Sequence, residues 1–387
     1  MREGWTYKKL GEVGNVVTGS TPSTKDAANY ASPDYCFVKP SDLPSTGIAV
    51  IDDSEFHISA KAFESARQLP KGSIVVSCIG IIGKVGILNK DACTNQQINA
   101  IIPNGTIMPK CLAYIICYKK SELEQIANAP VVPIINKGEF SKFLISVPPI
   151  SEQQSIVAEL DKINELISLK KAQLSDLDAL AQSIFYDMFG DPIENEKGWE
   201  VKKLGEICVD KKNIKRASKC FTGSDNIQYI DISSIDNIFN CILGTTSYSF
   251  DDAPSRAQQK VEKGDVLVSL VRPNLKNIAI VNIEGDNLVA SSGFCVLRVA
   301  ASSTYFVKAL ILTPHFTEYL VERVTGANYP AVREDDIKNC KFGLPPLFLQ
   351  QDFAKRIELI EQQKAQISST IKDLETLLAS RMQYWFD

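Results

Sequence analysis

The chain has 387 residues, of which 44% are hydrophobic and 23% charged, and a formal net charge of −4. That length is too great for one ordinary core and suits two or three domains of globular composition. No apolar run is long enough to span a membrane and Met1-Arg2-Glu3-Gly4-Trp5 is no signal peptide, so a cytoplasmic location is expected.

In chain order, the first half opens with Gly4-Trp5-Thr6-Tyr7-Lys8-Lys9-Leu10-Gly11-Glu12-Val13. The β-branched run Ser73 to Ile79 reads as a strand closed by glycine, and Pro109 to Ala127 carries Leu112, Ile115, Ile116, Leu123 and Ile126 as a helix face, with Phe306 to Arg323 as its counterpart. Pro148-Pro149 ends this globular part, because the residue before a proline is pushed out of the helical region. Ser151 then stands where an N-cap is expected, with Glu152 in the first turn.

From Ile156, steps of four and three give Leu160, Ile163, Ile167, Lys170, Leu174, Leu177, Ala181, Ile184 and Met188. This is the apolar seam of a heptad repeat. A second seam runs through Phe353, Ile357, Ile360, Lys364, Ile367, Ile371, Leu374, Leu378, Arg381 and Trp385. Two seams of equal length can bury each other as an intramolecular coiled coil, each spanning roughly 55 Å. Lys170, Lys364 and Arg381 interrupt the seams, and either set the register of the pair or face a partner's acids.

The polar segment Gly190 to Lys197 is a loop. After it the pattern restarts with Gly198-Trp199-Glu200-Val201-Lys202-Lys203-Leu204-Gly205-Glu206-Ile207, 194 residues on. At an offset of 192, Phe37–Leu43 aligns with Tyr229–Ile235 and Lys71–Ser77 with Lys263–Ser269. At 196, Gln97–Ile101 aligns with Gly293–Leu297, and at 197 Pro133 meets Pro330, Pro148-Pro149 meets Pro345-Pro346, and Gln153-Gln154 meets Gln350-Gln351. Drifting offsets with matched apolar patterns mean one unit used twice. The expected fold class is α+β: two tandem pseudo-repeated domains joined by two long antiparallel coiled-coil helices. Expected boundaries are 1–149 and 198–346 for the domains, 150–189 and 347–387 for the helices, and 190–197 for the linker.

Catalytic motifs are missing. Gly80-Ile81-Ile82-Gly83-Lys84-Val85-Gly86 lacks the ending of a P-loop, and its cognate from Arg272 to Asn277 loses the glycines, so a turn between strands is the better reading. His57 and His315 are the two histidines, and neither sits in a motif. Among ten cysteines there is no Cys-x-x-Cys, so no zinc site and no cofactor is predicted, and cysteines such as Cys78 and Cys295 read as core. Charge is unevenly spread. Ser151 to Met188 holds seven acids against three lysines, leaving the rest neutral, with a basic run through Lys202, Lys203, Lys211, Lys212, Lys215, Arg216 and Lys219.

The layout resembles the specificity (S) subunit of type I restriction–modification systems. The resemblance covers the whole chain and rests on Gly-Trp-x-x-Lys-Lys-Leu-Gly-Glu at each unit start, Thr18-Gly19-Ser20-Thr21-Pro22, Thr94-Asn95-Gln96-Gln97, Pro148-Pro149 to Gln153-Gln154, and Phe185-Tyr186-Asp187-Met188-Phe189-Gly190-Asp191-Pro192. It implies two target recognition domains, each reading half of a split double-stranded DNA site. It further implies paired helices that hold the domains apart and bind two adenine methyltransferase subunits, a translocating endonuclease subunit that joins later, and no catalysis by the chain itself.

Candidate DNA-binding residues are Lys39, Ser41, Gln96 and Gln97 in the first domain and Lys215, Arg216, Lys219 and Arg272 in the second, because base edges and phosphates are read by such polar and basic side chains. The helix-pair seam is assigned to Leu160, Ile163, Ile167, Leu174, Leu177, Ile357, Ile360, Ile367, Ile371 and Leu374. The rival reading from another class is a coiled-coil scaffold whose globular domains bind protein.

Overall fold

The computed structural model describes residues 2–127, 132–326 and 330–387. It resolves into two compact units, Met1–Leu169 with Ile371–Asp387, and Lys170–Thr370.

In the first unit the strands are β1 (Thr6–Lys9), β2 (Gly14–Thr18), β3 (Tyr35–Val38), β4 (Ile48–Ile51), β5 (His57–Ile58), β6 (Ile74–Ser77), β7 (Val85–Leu88), β8 (Ala92–Thr94), β9 (Ile98–Pro103) and β10 (Leu144–Val147). They form a five-stranded sheet in the order β2-β9-β6-β7-β4, a three-stranded sheet β5-β3-β8, and the pair β1-β10. Every residue of β6, β7 and β8 is buried, which is why these runs are apolar and continuous rather than alternating.

The second unit repeats the scheme with β11 (Glu200–Lys203), β12 (Asn226–Ile230), β13 (Ile235–Asp236), β14 (Cys241–Ile242), β15 (Thr246–Ser249), β16 (Ala257–Lys260), β17 (Val266–Ser269), β18 (Ile278–Ile280), β19 (Leu288–Ser291), β20 (Phe294–Leu297) and β21 (Lys341–Leu344). Its sheets are β15-β12-β19-β16, β18-β17-β20, β13-β14 and β11-β21. The register repeats too: Val76 pairs with Asn99 as Val268 pairs with Cys295, antiparallel, while Phe37 pairs with Cys93 as Tyr229 pairs with Val289, parallel.

The shared unit-start motif has a local explanation. Its first lysines lie on β1 and β11, which pair with β10 and β21. Leu10 and Leu204 are fully buried, and the following Glu12 and Glu206 accept from the backbone N–H of Lys9 and Lys203. The Gln-Gln motif is equally structural. Gln153 donates to the Pro148 carbonyl (2.9 Å) and accepts from the Met108 N–H (2.7 Å). Gln350 donates to the Pro345 carbonyl (2.7 Å) and accepts from the Ser303 N–H (3.0 Å). Both glutamines are buried, so each satisfies polar backbone that water does not reach.

Two helices of 40 residues each follow the proline pairs, Ile150–Phe189 and Leu347–Phe386. The first begins two residues earlier than its N-cap reading: Ser151 lies inside the first turn, where the Gln153 N–H already bonds to the Pro149 carbonyl. The helices pack antiparallel as a coiled coil. In the first unit Glu159 pairs with Arg381, and Ile156 and Leu160 share a core with Met382 and Phe386. In the second unit Asp178 pairs with Lys364, and the Phe185 ring packs on Phe353 at 5.6 Å between centroids. Of the assigned seam, Leu160, Ile163, Ile167, Leu174, Ile357, Ile360, Ile367 and Ile371 are buried, and Leu177 and Leu374 are half-buried.

Two expected helix faces are each broken. The first yields Pro109–Tyr118 and Lys120–Gln125; its counterpart yields Thr304–Ile311 and Pro314–Val321. The second break has a plain cause. Pro314 cannot continue a helix, and Thr313 caps the new one by accepting from the Phe316 N–H. Among the described residues no helix is long and apolar enough to cross a membrane.

Candidate nucleic-acid interface

In the first unit, β3 and β8 run parallel and end side by side at Val38 and Thr94, with the Asn95 N–H bonded to the Val38 carbonyl. Lys39 and the turn Asn95–Gln97 therefore leave neighbouring strand ends. This gathers all four candidates of the first domain. Asp42 accepts from the Lys39 N–H at 2.7 Å, closing the short turn that carries the exposed Ser41. The Lys39 ammonium lies 3.0 Å from the Phe56 ring centroid and 5.6 Å from that of Phe37, a cation–π seat for a basic side chain at the surface.

The Thr-Gly-Ser-Thr-Pro segment is laced to this turn. Ser20 N–H donates to the Thr94 carbonyl at 2.8 Å, and the Thr21 hydroxyl donates to Gln96 at 2.6 Å. A Cβ on Gly19 would lie 2.1 Å from the Asn95 carbonyl oxygen, so only glycine allows the two segments to touch. Gln96 is exposed, whereas the Gln97 carboxamide oxygen accepts from Asn95 within the turn. Arg67, which the sequence does not single out, donates to the Thr18 carbonyl at 2.7 Å. No local pattern marks it, since 49 residues separate the pair.

In the second unit Lys215, Arg216 and Lys219 are exposed together on the segment beside β16, where Arg216 bridges to Gln259 and the Lys260 N–H bonds to the Lys215 carbonyl. A shallow concavity follows, lined by Arg216, Ser218, Phe250 and Gln258. Among the described residues none of the three basic side chains is ion-paired. Arg272 is not part of this group. It sits at the turn after β17, at the surface, in left-handed backbone conformation with φ +50°. Its counterpart Gly80 has φ +77°, and the two make the same bond, Gly80 N–H to Pro133 and Arg272 N–H to Pro330. The Gly80–Lys84 part of the Gly80–Gly86 motif accordingly lies in the turn that joins β6 to β7, while Val85 and Gly86 belong to β7.

The equivalent strand ends differ in charge. Where the first repeat has Lys39 after β3, the second has Asp231 after β12, its carboxylate accepting from the Ile232 N–H. Arg256 stands near by: its carbonyl accepts from the Ser292 N–H just beyond β19. The Tyr229 hydroxyl is pushed up by burial and by Asp231, against the opposing effects of Ser291 and Arg256.

The type I restriction modification DNA specificity domain matches this chain twice, over residues 2–179 and 196–376. The chain belongs to that family. It is similar to the type I restriction enzyme MjaIX specificity subunit of Methanocaldococcus jannaschii, 26% identical over 377 residues, covering 92% of this chain and 86% of the relative. The MjaVIII specificity subunit of the same organism is 25% identical over 320 residues, covering 77% and 74%. The crystal structure of the type I restriction–modification S subunit from M. genitalium shares the fold, with a TM-score of 0.53 at 13% identity over 99% of this chain and 96% of that one.

Proposed function

We propose that this chain is the DNA-reading and assembly subunit of a type I restriction–modification complex. It acts in the cytoplasm without catalysis of its own, and each repeat reads one half of an asymmetric, split site. The observation that carries the reading is the strand-end contrast: one fold is used twice, with Lys39 at the edge of one copy and Asp231 at the same edge of the other. Similar modules with different reading edges recognise different half-sites. Lys39, Ser41 and Gln96 face the first half-site, with Gln97 bonded to Asn95 inside the turn that presents Gln96, and Lys215, Arg216, Lys219 and Arg272 face the second.

The long helices supply the docking surface for two methyltransferase subunits, which an endonuclease subunit then joins. Apolar side chains are exposed at repeat-equivalent positions, Ile150 and Leu347 (49% and 51%) and Leu180 and Leu377 (48% and 46%). Matched exposed apolar residues at equivalent positions suit one kind of partner binding twice.

The test is methylome sequencing in a host lacking other methylases, expressing this chain with its methyltransferase. Methylated adenines in a split motif, absent without this chain, are the expected result. No new methylation despite a stable complex would favour the scaffold reading.

A further inference from the structure

Strand pairing places Cys36 on β3 directly opposite His57 on β5. Asp53, four residues before His57, reaches both: its Oδ1 lies 2.8 Å from His57 Nε2 and 3.4 Å from Cys36 Sγ. The three donor atoms lie within 4.8 Å of one another. The same place in the second repeat is built differently. There Gln228 lies opposite Ser247, and Thr245 and Ser247 close a neutral hydrogen-bonded group with the Gln228 carboxamide. The first repeat therefore carries a thiol, an imidazole and a carboxylate at a position the fold also accepts as uncharged amide and hydroxyls.

We propose that Cys36, Asp53 and His57 bind a divalent transition metal of the zinc class, with water as fourth ligand. A tetrahedral zinc site with sulfur at about 2.3 Å and nitrogen or oxygen at about 2.0–2.2 Å needs donor separations of about 3.3–3.6 Å. The Sγ to Oδ1 separation already matches, and the Nε2 to Oδ1 separation must open by about half an ångström, a small rotation of the partly exposed imidazole. The set balances charge. A thiolate and a carboxylate neutralise the dication, neutral imidazole completes the donors, and the thiol proton leaves to solvent on binding.

Lys90 gives the site its distinguishing feature. Its ammonium is 3.6 Å from Asp53 Oδ1 and half-exposed, a positive charge already paired with a carboxylate that the metal would need. Metal and Lys90 compete for one carboxylate, so binding displaces the side chain into water. The bound ion would fasten β5 to β3 next to Phe56, on whose face the Lys39 ammonium rests.

The test uses the full chain, stripped of metal and titrated with Co²⁺ and then Zn²⁺, and needs no DNA. The expected result is one equivalent bound with a thiolate-to-cobalt charge-transfer band that zinc removes. Cys36→Ser abolishes the band, and His57→Gln weakens binding by more than the roughly 10- to 100-fold that loss of an outer-shell partner causes. Lys90→Gln tightens binding several-fold, which a purely hydrogen-bonded trio would not do. His57→Gln, at a partly exposed position, keeps the test valid if Cys36→Ser disturbs the core. Absence of a stoichiometric band, or a band and affinity unchanged in the Cys36 and His57 variants, overturns the site.

Discussion

Lys364 Nζ lies 2.6 Å from Asp178 Oδ1 at a seam position where only 7% of the lysine is exposed. Glu361 stands at 3.4 Å. Burial alone would lower the Lys364 pKa, but the two acids outweigh it and raise it, so the charge persists throughout the neutral range. The seam cations thus meet the chain's own groups: Lys364 finds Asp178, Arg381 finds Glu159, and Lys170 reaches Gln173.

The pair is asymmetric in exposure, since over a third of Asp178 remains in water. Lys364→Met keeps the stem's volume and lets both acids rehydrate, so unfolding free energy should change by less than about 1 kcal/mol. Asp178→Ala leaves the ammonium buried with Glu361 alone and should cost about 1–2 kcal/mol. Denaturant titration of both variants checks this ordering. Equal losses would show that the ion pair does not distinguish its partners.

Arg272 holds a conformation that Gly80 adopts freely in the other repeat. A left-handed non-glycine residue costs about 1–2 kcal/mol, part of which glycine gives back through its freer unfolded chain. Arg272→Gly should therefore leave the unfolding midpoint unchanged or slightly raised, while lowering DNA affinity and loosening recognition of one half-site. A clear loss of stability would refute the strain argument, and unchanged binding would remove Arg272 from the interface.

His315 gives a pH dependence. Its Nδ1 lies 2.5 Å from Asp191, a buried carboxylate in the loop following the first long helix, with Glu194 at 3.9 Å. The hydrogen bond to Asp191, then its charge, raise the imidazole pKa, and Glu194 and Glu318 add to this. A raised folded pKa means stability that is complete below the unfolded value of about 6.5 and is lost as pH climbs through the folded value. Melting temperature should fall between about pH 6 and pH 8 by more in the wild type than in His315→Gln. The imidazole is nearly half-exposed, so solvent screening keeps the difference modest. Parallel curves for the two proteins would exclude this ion pair as the cause.

Much of this is legible in the sequence because it repeats or has a period. The seams, the proline pairs and the unit-start motif each carry a local signal. Leu10 and Gln153 recur in the second repeat as Leu204 and Gln350, and Leu160 is buried by its place in the heptad. What depends on strand pairing is hidden. Cys36, Asp53 and His57 are separated by intervals no metal motif uses, and only the β3–β5 register brings them together. Gln97 looks available beside Gln96, but Asn95 draws its carboxamide into the turn. The helix break at Thr313 is marked by Pro314, whereas the one at Lys119 has no comparable residue.

The basic group of the second unit offers the most direct test of DNA binding. Lys215, Arg216 and Lys219 are exposed and lack acidic partners among the described residues, so their charges are available to phosphates. Replacing each with alanine in the assembled complex should weaken binding across all sequences and reduce the slope of log affinity against log salt by about one for each phosphate no longer neutralised. Gln96→Ala, by contrast, removes a side chain proposed to read bases rather than phosphates, so on that reading the salt slope should hold while discrimination at one position of the first half-site falls by about 1–3 kcal/mol. Binding isotherms at several salt concentrations on matched and mismatched duplexes separate the two outcomes. A salt slope unmoved by the triple alanine variant would place the phosphate track elsewhere on the second unit.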